Sequence, residues 1–144
     1  MGRSKNIGGV HMLKWGPQLE LGISSIDAQH KKWLEIINLL VTPDGEVPSR
    51  SAVLLALDLA LDYSVFHFQY EEDLLTQHGY QDQANHLSIH RTFSTVMKRF
   101  RDDAESGNPP VVSQLLSELN KWLVHHICVE DKKYVAFLKS HGVV

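Results

Sequence analysis

The chain has 144 residues, of which 43% are hydrophobic, so it is long and apolar enough to form one domain with a buried core. Its formal net charge of -3 excludes a basic nucleic-acid surface, and no uninterrupted apolar run approaches the ~18 residues of a membrane span. A single cysteine, Cys128, excludes an internal disulfide framework, and we expect a cytoplasmic location. Residues 1–12 are glycine-rich and patternless, so we expect a disordered segment or a remnant of cloning before one domain over 13–144.

Apolar residues recur at helical spacing in four segments. The first begins near residues 24–25, two serines suited to an N-cap, and ends at the turn-forming residues 42–45. The second begins near Ser49 or Ser51 and is closed by Gly79, the residue type preferred just after a helix. Both segments are therefore predicted to be α-helices.

The third segment runs from about Gln81 to Ala104 and is ended by residues 106–108. The fourth starts near residues 109–110, two prolines suited to a first turn, and continues to about Leu138. No useful length of strand-like alternation is present. Short connections between helices of this length favour antiparallel neighbours, so the predicted fold is all-α: an antiparallel up-down-up-down four-helix bundle.

Histidines lie on the apolar faces of these helices. The chain has nine histidines, and each predicted helix places at least one of them in line with its core residues; together with one acid these are His30, His67, Glu71, His86, His90 and His126. Each buried polar group without a partner costs on the order of 1–3 kcal/mol. Hydrogen bonds within the set offer one solution, but imidazole is the commonest side-chain ligand of transition metals. The pattern predicts a metal site.

The spacing of these residues resembles the hemerythrin family, in particular the single-domain bacteriohemerythrins, over about Leu13 to Leu138. Each motif alone is common in helices, but their order, with one on each helix, is specific. The matching motifs are Trp15-x3-Leu19-x2-Gly22-Ile23-x2-Ile26-Asp27-x-Gln29-His30, His67-Phe68-x2-Glu71-Glu72, Tyr80 with His86-x3-His90-x2-Phe93, and Trp122-Leu123-x2-His126-Ile127-x3-Asp131-x2-Tyr134.

The resemblance implies a hemerythrin-like bundle that holds two non-haem iron ions joined by an oxo or hydroxo group. One iron would be bound by three histidines and the other by two, while two carboxylates bridge the pair. The three histidines implied are His86, His90 and His126, and the two histidines are His30 and His67. The bridging carboxylates implied are Glu71 and Asp131.

The second bridging acid is the one position that helical spacing does not predict. Asp131 lies five residues after His126, which is about 140° around an ideal helix, whereas Glu130 lies at the better-placed fourth residue. Helical spacing thus favours Glu130 and the resemblance favours Asp131. The second choice requires the helix to widen after His126, as a π-type turn does.

The ligand count implies an open coordination position. Three imidazoles and three bridging oxygens fill six positions on one iron, but two imidazoles leave the other with five, so an exogenous ligand can bind there. The resemblance implies that this ligand is dioxygen. Diiron oxygenases use mostly carboxylates. The five neutral imidazoles here therefore favour reversible dioxygen binding, for storage, delivery or sensing, over enzymatic O–O cleavage. The alternatives are a diiron enzyme acting on peroxide, dioxygen or nitric oxide, and a metal store or zinc-stabilised bundle.

Two apolar residues are candidates for the lining of the ligand pocket. Trp33 lies one turn after His30, and Leu123 lies one turn before His126. Both are equally well explained as core residues. We expect no nucleic-acid or membrane partner.

Overall fold

Four helical rods form the structure. The computed structural model describes residues 13–41, 48–107 and 112–144, and within these ranges all regular structure is helical. The fourth rod consists of two α-helices joined by a π-helical segment. The elements are a 3₁₀ turn at Pro17–Leu19, α1 (Ser24–Asn38), α2 (Arg50–His78), α3 (Gln83–Glu105), α4 (Val112–His125), the π segment (His126–Asp131) and α5 (Lys132–Ser140). The predicted all-α bundle is confirmed.

The ends of α2 follow from the chemistry of its flanking residues. The Ser49 hydroxyl accepts a hydrogen bond from the backbone N–H of Ala52 at 3.2 Å, which caps the first turn. Gly79 adopts a left-handed conformation with φ of 72°, and its N–H donates to carbonyl groups of the last turn. The predicted start at Ser49 and stop at Gly79 are both observed.

The remaining predicted boundaries are only partly described. Helix α3 begins at Gln83, two residues later than predicted, and Gly107 follows it with φ of 88°. The predicted turn at 42–45, the predicted helix start at 109–110 and the segment 1–12 lie outside the described residues.

The loop before α1 is fastened to the bundle by one carboxylate. Asp27 in the first turn of α1 accepts hydrogen bonds from the backbone N–H of Leu21, at 2.9 Å, and of Gly22, at 3.1 Å. Gly22 has φ of 82°, a conformation that a residue with a Cβ rarely adopts. The loop thereby places Leu19 and Ile23 in the core, where both are buried.

The bundle interior combines apolar packing with a buried polar cluster. Buried apolar side chains from every rod pack together, among them Ile26, Trp33, Leu57, Met97, Leu123 and Leu138. Between them lies a compact group of buried histidines and acids. This polar centre sets the bundle apart from one held together by hydrophobic packing alone.

Helix α2 is the one described helix that is long and apolar enough to cross a membrane by length and composition. Less than half of its most apolar stretch is buried inside the bundle. The exposed side chains on its outer surface include Leu55, Leu59, Val65 and Phe66. Polar residues interrupt the apolar sequence of α2, so the helix contains no uninterrupted apolar run of that length.

Candidate metal centre

Seven buried polar residues meet in the centre of the bundle, and every rod contributes to them. Each is at most 4% exposed. Helix α1 provides one histidine, α2 a histidine and an acid, α3 two histidines, and the π segment a histidine and an acid. They are His30, His67, Glu71, His86, His90, His126 and Asp131, the same seven residues that the sequence and the family resemblance predict.

The ligand atoms of these residues form two overlapping groups, within each of which all atoms lie within 4.8 Å of one another. The first group has three histidines and the second has two, and both groups share the same two carboxylates. The groups are His86, His90 and His126 with Glu71 and Asp131, and His30 and His67 with Glu71 and Asp131. The arrangement therefore suits a pair of metal ions rather than one.

Glu71 reaches both groups with different oxygen atoms. Its Oε1 contacts the Nε2 of His86 and lies 3.5 Å from the Nε2 of His90. Its Oε2 lies 3.1 Å from the Nε2 of His67, in the other group. A carboxylate in this orientation offers one donor oxygen to each of two neighbouring cations.

Asp131 repeats this arrangement from the opposite rod. Its Oδ1 lies 2.9 Å from the Nε2 of His126 and 3.1 Å from that of His86. Its Oδ2 lies 3.1 Å from the Nε2 of His30. Both acids thus span the two histidine groups.

The π segment brings Asp131 to this position. A six-residue stretch from His126 to Asp131 is wound more widely than an α-helix, so the fifth residue after His126 turns inwards. Glu130, which ideal α-helical spacing favours, instead contacts Lys133 at 3.0 Å and His125 at 3.5 Å. The structure therefore places Asp131, and not Glu130, in the cluster.

Most donor atoms of the cluster lack hydrogen-bond partners; the Nε2 of His86 and the Oε1 of Glu71, which contact each other, are exceptions. Buried atoms without a partner include the Nε2 of His30, His67, His90 and His126, and both carboxylate oxygens of Asp131. Unsatisfied buried polar atoms are rare in folded proteins, because each costs about 1–3 kcal/mol. Imidazole nitrogens and carboxylate oxygens are suitable donors for iron, and a cation pair would satisfy all of them, so these residues fit a diiron centre.

The tautomer of His67 strengthens this conclusion. Its Nδ1 lies 2.7 Å from the Oε1 of Gln29, an acceptor, so Nδ1 carries the proton. Burial lowers the pKa of His67, which favours the neutral ring. The neutral ring turns the lone pair of Nε2 towards an oxygen of Glu71, 3.1 Å away, and a metal ion bound by both atoms would satisfy this arrangement.

Both acids of the cluster are ionised. Burial alone would raise the pKa of Glu71, but its contacts with His67, His86 and His90 hold that pKa well below its usual range. Burial would also raise the pKa of Asp131, yet the neighbouring histidines hold it well below its usual range. Burial lowers the pKa of His86, but the two carboxylates outweigh it and raise the pKa to about 10. The two carboxylates thus hold a proton on His86, which is the behaviour of a buried site that favours cations.

A second residue that holds a site histidine is Glu72, the residue after Glu71 on α2. Its Oε1 lies 3.0 Å from the Nδ1 of His90, and its side chain is 23% exposed. Helical spacing shows that Glu72 is turned away from Glu71 but does not show that α3 lies on that side. Gln29, which holds His67, was visible only as part of the family motif.

Aromatic rings pack against the histidines. Phe68 stacks on His90 with ring centroids 3.8 Å apart, and Trp122 stacks on His126 at 4.5 Å. Trp33 is fully buried, and its ring centroid lies 5.4 Å from that of His67. Leu123 is also fully buried. The role of Trp33 and Leu123 in lining a ligand pocket stays a prediction.

The fold and the cluster together define a histidine-rich helical-bundle protein with a buried site for a pair of cations. A family model described as the hemerythrin HHE cation binding domain matches residues 21–138 of this chain. The chain belongs to the hemerythrin family.

Individual relatives agree with this assignment. A bacteriohemerythrin of Stenotrophomonas maltophilia (strain R551-3) is 32% identical over 130 residues, which are 90% of this chain and 84% of the relative. A bacteriohemerythrin of Pseudomonas aeruginosa (strain LESB58) is 33% identical over 123 residues, which are 85% of this chain and 79% of the relative. A crystal structure of wild-type hemerythrin superposes with a TM-score of 0.80 at 28% identity, covering 89% of this chain and 98% of that one. The family predicted from the motifs is confirmed.

Proposed function

We propose that the chain binds dioxygen reversibly at a non-haem diiron centre with a bridging oxo or hydroxo group, for storage, delivery or sensing of oxygen. One observation carries this proposal: Glu71 and Asp131 each direct one oxygen to the three-histidine group and the other to the two-histidine group. Membership in a family of cation-binding domains supports it.

The unequal histidine groups support a binding role. We propose that the histidines of α3 and the π segment complete the coordination of one iron, and that His30 and His67 leave one position free on the other. A pair of ferrous ions would supply the redox capacity for reversible dioxygen binding at that free position. The protein contributes the asymmetry, because it places three imidazoles on one side and two on the other.

The surroundings of the site support retention of bound oxygen. Trp33, Leu123 and Ile127 are fully buried, and Phe93 is 3% exposed, so apolar side chains enclose the polar centre. An apolar enclosure limits the access of water and protons, which promote irreversible oxidation. We propose that Trp33 and Leu123 line the space beside the free position.

Family membership also bears on the choice between carrier and enzyme. The relatives are bacteriohemerythrins and hemerythrin, and the predicted non-enzymatic role is consistent with that family. The donor set of five imidazoles and two carboxylates supports the same choice, since anionic ligands rather than neutral ones stabilise highly oxidised iron.

The proposal is tested by iron analysis and visible spectroscopy on reconstituted protein. We expect about two irons per chain, and an absorption band that appears when reduced protein meets oxygen and disappears under vacuum over repeated cycles. His30→Ala should abolish the cycling, because it removes half of the two-histidine group. Irreversible oxidation with substrate turnover would instead indicate an enzyme, and a colourless protein that holds only zinc would contradict both readings.

A further inference from the structure

Two of the site histidines have a side-chain partner on Nδ1, the ring nitrogen that faces away from the cluster, and the two partners differ in charge. The Nδ1 of His67 donates to the neutral amide oxygen of Gln29 at 2.7 Å. The Nδ1 of His90 donates to the carboxylate of Glu72 at 3.0 Å. Both contacts fix the proton on Nδ1 and leave the lone pair of Nε2 for a metal. They differ in how much negative charge they place beside the ring.

A carboxylate partner changes the ring that it holds. It draws the Nδ1 proton more strongly than an amide does and makes the imidazole a stronger donor. A stronger donor stabilises the higher oxidation state of the metal that it binds. His90 belongs to the three-histidine group and His67 to the two-histidine group, so the extra charge falls on one side of the site only.

We propose that Glu72 is a positioning residue that strengthens His90 as a donor, and so favours the oxidised state of the iron held by the three-histidine group. Gln29 orients His67 without adding charge and leaves the iron at the two-histidine group easier to reduce. The inference rests on the proposed diiron function, and it names residues outside the seven predicted ligands.

Orientation and charge can be separated here because a second contact holds His90. Phe68 stacks on its ring with planes 10° apart. The ring plane is therefore supported even when the acid is replaced. Glu72→Gln keeps a hydrogen-bond acceptor and removes the charge, whereas Glu72→Ala removes both. Asp73→Asn is a matched control, because Asp73 is the next residue, is exposed, and contacts Gln69 rather than a histidine.

The experiment measures ferrous iron affinity by anaerobic competition with a chelator, and the reduced-to-oxidised ratio of the iron-loaded protein in a fixed redox buffer. For Glu72→Gln we expect two irons and a ratio about tenfold higher than in the unsubstituted protein, of the same order as the effects of outer partners on metal affinity, about 10–100-fold. Glu72→Ala should also bind ferrous iron about 10–100-fold more weakly. Gln29→Glu should shift the ratio in the opposite direction.

The outcomes separate this inference from the proposed function. A Glu72→Gln protein with the same ratio as Asp73→Asn and the unsubstituted protein would overturn the inference while leaving the diiron centre intact. A purely structural role would also overturn it, and would show as lower thermal stability of the iron-free variants with an unchanged ratio. If the unsubstituted protein fails to hold two irons, the proposed function itself fails.

Discussion

Neighbouring acids in the π segment face opposite surroundings. Asp131 is fully buried among His30, His86 and His126, while Glu130 reaches outwards to Lys133. Of these two adjacent residues, Asp131 therefore contacts both histidine groups, whereas Glu130 forms an ion pair near the surface. Surface ion pairs contribute at most about 1 kcal/mol to stability.

Substitution of the two acids should therefore have unequal effects on iron content. Asp131→Ala should hold no more than about one iron per chain, because the carboxylate shared by both irons is gone. Glu130→Ala should hold the same two irons as the unsubstituted protein. Iron analysis of both variants after identical reconstitution gives the comparison. Equal iron loss in the two variants would show that Asp131 is not a ligand.

Helical spacing predicted the buried position of six site residues but not the partners outside them. The six lie on apolar faces, and burial follows from periodicity within one helix. The contact of Glu72 with His90 joins α2 to α3, and it depends on how far each helix is rotated about its own axis. That rotation is set by packing between helices, which a single sequence does not display.

At the scale of the helix, the π segment is the feature that local sequence did not dictate. Its residues carry no glycine or proline that marks an irregular turn, and α-helical geometry continues on both sides at His125 and Lys132. Only the family motif, by favouring Asp131, required the helix to widen. Single π turns within α-helices are rare overall, but where they occur they often lie at functional sites.

The end of α2 offers a prediction at the same scale. Gly79 has φ of 72°, and a Cβ added there would meet nothing within 4 Å, so strain in the backbone is the only cost. Gly79→Ala should lower the free energy of unfolding by about 1 kcal/mol, and Gly79→Asn by less, since asparagine tolerates this conformation better.

Chemical denaturation of the iron-loaded proteins measures the two changes. Iron content should stay the same in both variants, because Gly79 lies two turns beyond Glu71 and outside the cluster. An alanine variant as stable as the unsubstituted protein would show that the left-handed cap does not limit the stability of α2.

At the scale of the whole molecule, the polar centre connects all four rods. Each rod contributes at least one member of the cluster, so a bound cation pair joins elements that are far apart in sequence. Without cations, the unpartnered nitrogens and oxygens of the centre oppose the apolar packing around them. We therefore expect metal binding and folding to be linked.

Removal of the metal should lower stability across the whole bundle. When free iron exceeds its Kd by about 100-fold, bound metal adds about 2.7 kcal/mol to the free energy of unfolding. Anaerobic thermal unfolding before and after chelation measures the difference, and His30→Ala should show a smaller difference. Identical unfolding with and without metal would contradict the linkage.

The distribution of the cluster over the four rods also sets an order of events during synthesis. The ribosome produces α1, α2 and α3 first, and with them His30, His67, Glu71, His86 and His90. The three-histidine group lacks one histidine, and both groups lack one shared acid, until the π segment has been made and packed, because His126 and Asp131 lie there. We therefore expect full loading with a metal pair to follow the docking of the last rod, and retained metal would report that the bundle is completely assembled.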